Sequence, residues 1–465
     1  MTSMLNPSLL SRVKQYVYTQ IAEHKNSKRV WLEGQKLAEA GFVKGAKITP
    51  IWDEVRCQLT FKLDENGSKT VSGRVNKNTG IVKPIIDMLD KSLAPVGTRL
   101  RVTVMHGLII CNLHHEEQNK WDREKRLMDI ACGKKALKEG SLCTGIGVST
   151  YAAHESLKKH GIVSELEWVV DVEQKYLEAA VQNNPAFTDD TQLVVGSIEE
   201  VEPELLSDVD FLSVSLPCTG FSLSGRAKLG LKFGEAHPEA ATAVFGLMQM
   251  VKSKNPSIIL SENVKQAKDS ATYHLIISEL ERLGYIVKET ILNGSDAGTI
   301  EDRERYFFVA VSSGVADFID IDNLLPQARP FNTMADVQEE VPHEDSMWKS
   351  YDYLNEKAIR DKAAGKGFAR QFINEQTTKL GCIGRHYAKA RSTEPFWKRD
   401  DGMERLLTIS EHARVKLIPE FLVNGLSATI AHQGLGQSVL LPHVSSLVDS
   451  IAQGIRQLGS SLKAV

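Results

Sequence analysis

The sequence predicts an α/β protein built on a parallel, doubly wound sheet, with a β-rich N-terminal domain before it and a small extra domain set into its C-terminal half. Three observations carry this. From about residue 137 short apolar runs alternate with stretches of helical period. Before that, residues 45–63 and 97–113 alternate apolar and polar side chains at period two. Between residues 313 and 403 the rhythm stops, and prolines, aromatics and basic residues interleave.

Residues 1–115 read as a unit of their own. "GAKITPIWDEVRCQLTFKL" and "GTRLRVTVMHGLIICNL" are β-branched and alternating, as hairpins are. They look like two copies of one hairpin-like unit, and the pattern weakly resembles the swapped-hairpin DNA-binding modules of bacterial regulators. A β-rich packing or dimerisation domain suits it equally. The charged run "HHEEQNKWDREKRLMD" follows, and residues 116–136 are expected to be a solvated helix or linker.

Residues 137–312 carry the main rhythm. Strands are expected to end near Cys143, Asp171, Gly196, Ser215, Ser261, Leu292 and Val311. One intervening helix reads "ATYHLIISELERLGY": Leu275, Ile276, Leu280 and Leu283 share a face, and Gly284 can end it. Residues 404–465 return to helical pattern, with Val444, Leu447, Val448, Ile451 and Ile455 as a stripe for packing on the sheet. In a doubly wound sheet, ligands sit at the carboxyl ends of strands.

Composition excludes several classes. The 465 residues suit two or three domains, and 42% hydrophobic with 25% charged residues is ordinary for a soluble protein. A net charge of −3 announces no polyanion partner, so any nucleic-acid surface must be a local patch. The six cysteines form no CxxC pair and no zinc spacing, which points to a reduced, cytoplasmic setting and no metal. No signal peptide and no membrane span are expected.

The chemistry-bearing residues fall at the expected strand ends. "CTGIG" places Gly145 and Gly147 between a strand and a helix, where a backbone can approach a ligand. A tight turn explains the same pattern. Ser149 stands where a dinucleotide fingerprint needs its third glycine, so a nicotinamide oxidoreductase is disfavoured. Asp171 follows at a distance that suits ribose hydroxyls. Cys218, in "SVSLPCTGFSLSG", is a thiol among small and hydroxylated residues. Glu262 in "SENV" and Arg303 with Arg305 in "EDRERYFFV" complete a set of nucleophile, acid and cations at neighbouring strand ends.

From about residue 137 to the C-terminus the sequence resembles the DNA cytosine-5 methyltransferases. "CTGIG", "PCTGFS", "ENV", "RER" and "GQSV" occur in that family's order. The resemblance implies a Rossmann-like class I methyltransferase fold, S-adenosylmethionine as cofactor and duplex DNA as partner. It further implies that Cys218 adds to C6 of a flipped-out cytosine, that Glu262 holds the N3 edge, that Arg305 supports the base and that Arg303 meets a phosphate or loop nearby. Pro217, Asn263, Val264 and Ser222 would touch the substrate, in a mobile loop that includes Thr219 and Gly220. The cofactor would lie against Cys143, Gly145, Ile146, Gly147, Asp171, Val172, Ser197, Ile198, Pro217, Gln437, Ser438 and Val439. The family's usual residues differ at several of these: an aromatic for Cys143, a glutamate for Asp171, an acid for Ser197, glutamine for Glu301 and asparagine for Gln437. A variant sulfonium donor is therefore an alternative.

By the same resemblance, residues 313–403 would read the target sequence. Arg385, Lys389, Arg391, Lys398 and Arg399 lie among Tyr387, Phe396 and Trp397; Arg385, Lys389 and Arg391 are the expected DNA contacts, and phosphate contact or plain solvation suits most of these charges better than base readout. The alternatives kept open are the same chemistry on transfer RNA and a non-catalytic DNA-binding regulator. A restriction endonuclease, or a second copy bound through residues 1–115, would be the protein partner.

Overall fold

In the computed structural model, residues 15–218, 220–221, 238–324, 328–365 and 369–464 are described, and the chain divides into two units, Met1–Asp122 and Arg123–Val465. The first unit is nearly all strand. It contains β1 (Gln15–Gln20), β2 (Ala22–His24), β3 (Ser27–Glu33), β4 (Lys47–Asp53), β5 (Gln58–Leu63), β6 (Lys69–Thr70), β7 (Ser72–Val75), β8 (Val82–Leu89), β9 (Arg99–Met105) and β10 (Leu108–Leu113), with one short helix, α1 (Gln35–Glu39). Six strands form a sheet in the order β1-β9-β10-β5-β4-β6, and four form another, β2-β3-β8-β7. The two alternating stretches are the hairpins β4–β5 and β9–β10, and β10 pairs antiparallel with β5. Period two puts Leu59, Phe61, Leu100, Val102, Val104, Ile109 and Cys111 into one core with Val30 and Phe42.

Helix α2 (His115–Ala131) spans the division; of the expected solvated helix or linker it is the helix, but one face of it is buried. Helical spacing sets Arg123, Leu127 and Ile130 on one face. Leu127 and Ile130 enter the core of the second unit. Arg123, 2% exposed, donates from Nε to Ser312 Oγ at 2.9 Å and from Nη2 to the Leu283 carbonyl at 2.8 Å. Glu124 accepts from Ser312 Oγ at 2.7 Å and the Gly314 amide at 2.8 Å. These charges are buried because each has a partner.

The second unit is organised by β11 (Leu137–Leu142), β12 (Ser164–Asp171), β13 (Gln192–Val195), β14 (Phe211–Val214), β15 (Ile258–Val264), β16 (Tyr285–Leu292) and β17 (Arg305–Ser312). Their order is β13-β12-β11-β14-β15-β17-β16. The first five run parallel, but β17 is antiparallel to both its neighbours, so the sheet is mixed. The reason lies in the link from β16 to β17, which holds no crossover helix, so the chain turns back on itself. As a result the start of β17 lies at the carboxyl edge of β15.

The helices of this unit are α3 (Val148–Lys159), α4 (Gln174–Asn183), α5 (Pro238–Lys254), α6 (Ala271–Arg282), α7 (Asp352–Ala363), α8 (Ile409–Arg414), α9 (Ala428–Gln437) and α10 (Leu441–Lys463). Alternate residues of β17 feed two cores: Phe307, Val309 and Val311 on one face, Tyr306, Phe308 and Ala310 on the other. The stripe Val444–Ile455 of α10 packs in the first core beside Leu157 of α3. In α6 the buried face is Thr272, Tyr273, Ile276 and Leu280, while Leu275 is 64% exposed, contrary to expectation.

Residues 371–405 contribute a small sheet of β18 (Gln371–Ile373), β19 (Pro395–Lys398) and β20 (Glu404–Arg405). Its core holds Met334, Val337, Ile373, Tyr387, Trp397 and Leu407. The aromatics expected among DNA contacts are therefore structural: Tyr387 and Phe396 are 0% exposed and Trp397 4%. They fill a core that so small a sheet could not otherwise close.

Candidate active site

Four strand ends meet at one edge of the seven-stranded sheet. Beyond β14 the Ser215 amide donates to the Leu142 carbonyl at 3.2 Å, and the chain then runs through Leu216 and Pro217 to Cys218. Asn263, on β15, donates from Nδ2 to the Leu216 carbonyl at 3.0 Å and to the Tyr273 hydroxyl at 2.9 Å. Being 1% exposed, it holds the cysteine-bearing turn rather than facing a substrate, which corrects its expected role. The Phe221 amide closes the turn on the Cys218 carbonyl at 3.0 Å, and the Phe221 ring packs edge-on against Tyr273. Ser222 and Thr219 lie outside the described residues.

The Cys218 side chain is exposed. Protein crowded around it nevertheless raises the thiol's pKa above the ordinary value; Arg305 opposes that rise, Glu262 adds to it and Arg303 opposes it. Those three charges are the ones the sequence placed at neighbouring strand ends. Arg305 Nε lies 2.9 Å from Glu262 Oε1, with both side chains largely buried. The pair follows from the reversed strand: Val264 is the register partner of Arg305. Val264 itself is half-buried.

Arg303 turns inward. It donates from Nη1 to Cys382 Sγ at 2.9 Å and to the Ile383 carbonyl at 3.2 Å, and from Nη2 to the Gly436 and Gln437 carbonyls at 3.1 and 3.3 Å. At 4% exposure it is a clasp between two loops, so of the two expected partners, a phosphate or a nearby loop, it takes the loop.

On the other side of the sheet edge, Gly145 and Gly147 adopt φ of 58° and 80°, and Gly147 begins α3. Asp171 Oδ2 accepts from the Gly145 amide at 2.7 Å, and its Oδ1 from the Glu173 amide at 2.9 Å. Burial raises the Asp171 pKa above the usual carboxylate value, while both amides and Arg385 pull it down. A Cβ at Gly145 or Gly196 would meet nothing within 4 Å, so both glycines border open space. Val172 is 64% exposed at the same edge. Cys143, at φ 57°, has its thiol held protonated by burial and then by Asp171 and Glu199. A carboxylate with free lone pairs, an uncovered aliphatic and two open glycines fit a nucleoside with ribose hydroxyls.

Some expected cofactor contacts point elsewhere. Ile146, Ile198 and Val439 are core residues, 1%, 4% and 3% exposed; Ile146 packs against Gly434 and Ile198 against Gly246. Ser197 Oγ donates to Glu200 at 2.7 Å in a capping box. Ser438 Oγ is tied to the Gly434 carbonyl at 2.7 Å, and Gln437 Nε2 to the Gln433 carbonyl at 3.2 Å. These side chains serve packing and local hydrogen bonds instead.

Residues 137–453 match the family profile described as C-5 cytosine-specific DNA methylase. The chain belongs to that family. Type II methyltransferase M.NlaX of Neisseria lactamica is 28% identical over 269 residues, 56% of this chain and 81% of the relative. Type II methyltransferase M1.ScrFI of Lactococcus lactis subsp. cremoris is 27% identical over 266 residues, 56% of this chain and 66% of the relative. Among solved structures, the Entamoeba histolytica methyltransferase EhMeth superposes with a TM-score of 0.55 at 17% identity, over 70% of this chain and 99% of its own. A DNMT2 variant of Spodoptera frugiperda gives 0.53 at 20% identity, over 68% and 99%. At these identities the structures show a shared fold. Cytosine methylation in DNA is the activity of this family of C5 methyltransferases, and S-adenosylmethionine is the cofactor.

Several residues of this C5 methyltransferase were not singled out by their sequence pattern. Lys416 is 0% exposed and lies 2.8 Å from Glu301 Oε2, so a buried lysine neutralises the glutamate that replaces the family's glutamine. Burial, and then Arg303, brings Lys416 down to about 8. Asn184 Nδ2 donates to the Gly147 carbonyl at 2.9 Å and so fixes the glycine turn. Glu173 pairs with Arg385 at 2.8 Å and with Lys175 at 3.2 Å. Only Glu173 had a local signal, two places after Asp171. Arg385 is thus tied to the loop that follows Asp171. Arg399 pairs with Asp401 at 2.5 Å and stacks on Trp348, and Lys398 sits over the Phe372 ring. Lys389 and Arg391 remain exposed, with no ion pair to a described residue.

Proposed function

We propose that this enzyme transfers a methyl group from S-adenosylmethionine to C5 of a cytosine flipped out of sequence-specific duplex DNA, through a covalent bond between Cys218 and C6. The observation that supports it is the exposed Cys218 beside the Glu262–Arg305 pair, on neighbouring strands. A stacked base offers no open face to a thiol, so extrusion must come first.

The Cys218 thiolate adds to C6, and electron density moves to C5. Glu262 holds the N3 edge, where a proton neutralises the negative charge that the addition creates. Arg305 keeps the Glu262 carboxyl in place and presents its remaining N–H groups to the base. When bound, S-adenosylmethionine supplies an electrophilic methyl at sulfonium. Asp171 and the open backbone at Gly145 and Gly196 would hold its nucleoside. Loss of the C5 proton to a base and breakage of the C6–sulfur bond restore the ring and return the thiolate. Burial raises the thiol pKa, and Arg305 opposes that rise, so the cation beside the thiol favours the thiolate that the addition needs. Lys389 and Arg391 would contact DNA in the reader segment. The Type II relatives support a restriction-linked role, in which a companion endonuclease spares the methylated site.

The test uses duplexes with 5-fluorocytosine at the target, where loss of the C5 substituent is blocked. The parent protein is expected to leave a denaturation-resistant adduct and Cys218→Ser none. Glu262→Gln is expected to slow turnover by about 10²–10⁴. A serine variant as fast as the parent, or methylation of transfer RNA but not of duplex DNA, would overturn the proposal.

A further inference from the structure

Strands β7 and β8 run on past the rest of their sheet. β3 covers β8 only over Ile85–Leu89, whereas β7 pairs with β8 from Val82. Residues 74–83 therefore form a two-stranded arm, closed by the turn Lys77–Gly80, with Gly80 at φ 67°. Arg74, Val75, Lys77, Ile81, Val82 and Lys83 are all exposed. Such an arm, wet on both faces and carrying uncovered Val75 and Ile81 at 51% and 53%, gains nothing from its own core.

Its charges are arranged against its own stability. Arg74 and Lys83 are direct cross-strand partners, and like charges so placed repel. Residues 66–86 hold four cations and no acid. Lys69 is turned inward to the Asp87 carbonyl at 2.9 Å. Arg74, Lys77 and Lys83 make no ion pair with any described residue. Residues 1–122 contain eighteen Lys and Arg against twelve Asp and Glu, although the whole chain is at −3. The positive charge is thus concentrated on the unit that lies outside the methylase profile.

We propose that this arm is a second DNA contact, separate from the catalytic unit, seated in the major groove of duplex DNA. Arg74, Lys77 and Lys83 neutralise phosphates there, and Val75, Ile81 and Val82 lie against apolar groove surface such as thymine methyls. A B-form major groove admits a two-stranded ribbon, whereas that of A-form RNA is too deep and narrow for side chains to read. The inference rests on duplex DNA being the substrate.

The experiment measures binding of the full-length protein to duplex DNA by fluorescence anisotropy over a salt series. For the triple variant R74A/K77A/K83A, the slope of log affinity on log salt is expected to fall by about one for each lost phosphate contact. An unchanged thermal midpoint would show that the fold is intact. For V75S/V82S, affinity is expected to fall with the slope preserved. Unchanged slope and affinity in the triple variant would overturn the proposal. So would an equal loss on double-stranded RNA, or a change in oligomeric state by light scattering with DNA binding intact. The readout needs no turnover, so a parent protein that methylates only transfer RNA would sink the proposed function and leave the arm to be judged on its slope.

Discussion

Arg385 Nη2 lies 2.8 Å from Glu173 Oε1, and this pair joins the segment expected to read DNA to the loop that follows Asp171. The Arg385 guanidinium also faces the Tyr176 ring at 5.7 Å. The arrangement sets Arg385 beside the loop proposed to hold the cofactor nucleoside. Arg385→Ala is expected to weaken S-adenosylmethionine binding by about two- to fivefold, since a half-exposed pair contributes at most about 1 kcal/mol. Calorimetric titration checks it. Weakened DNA binding with unchanged cofactor affinity would reverse the assignment.

Cys218 should respond to pH as a thiol held above its ordinary value. In the DNA-free enzyme its alkylation by iodoacetamide is expected to climb until a higher pH than that of a free cysteine peptide. Removing the opposing cation with Arg305→Ala should push the midpoint higher still. Mass spectrometry of the labelled peptide reads both. A midpoint at or below that of the free peptide would contradict the crowding around the thiol.

Glu394 gives the fold a pH dependence. It is 6% exposed, its Oε2 accepts from the Gly384 amide at 3.3 Å, and burial raises its pKa to about 7. The folded state therefore keeps a proton that the unfolded chain releases near pH 4.5. Stability from this group is complete below that value and is lost as pH rises through about 7, by up to about 3 kcal/mol. Denaturant titrations of parent and Glu394→Gln over this window should show the slope reduced in the variant. Parallel curves would refute the assignment.

Arg391 is an exposed cation of the reader segment with no ion pair to a described residue. Arg391→Ala is expected to weaken duplex binding and to lower its salt slope by about one if the contact is to phosphate. If the side chain reads a base edge, discrimination at that position should instead fall by about 1–3 kcal/mol. Unchanged affinity and unchanged site choice would remove residues 313–403 from recognition.

Strand ends and ordered motifs were legible because they are local. All seven strands of the large sheet end within a few residues of their expected places, and Cys218, Glu262 and Arg305 meet as their positions at neighbouring strand ends implied. What could not be read depends on partners far apart in sequence. Lys416 neutralises Glu301, 115 residues away, and no spacing rule links them. Arg123 looked solvated because its partners, Ser312 and Leu283, lie far along the chain. Basic side chains near aromatics suggested a nucleic-acid surface, but in β19 the aromatics form the core and their neighbours stack at its rim.

Helix α10 shares a core with α3, so Val444 and Leu447 pack in the same cluster as Leu157 after nearly three hundred intervening residues. During translation at about 5–20 residues per second, α3 must wait on the order of tens of seconds for that partner to leave the ribosome. Until then the apolar flank of the nascent sheet stands open, and chaperones can occupy it.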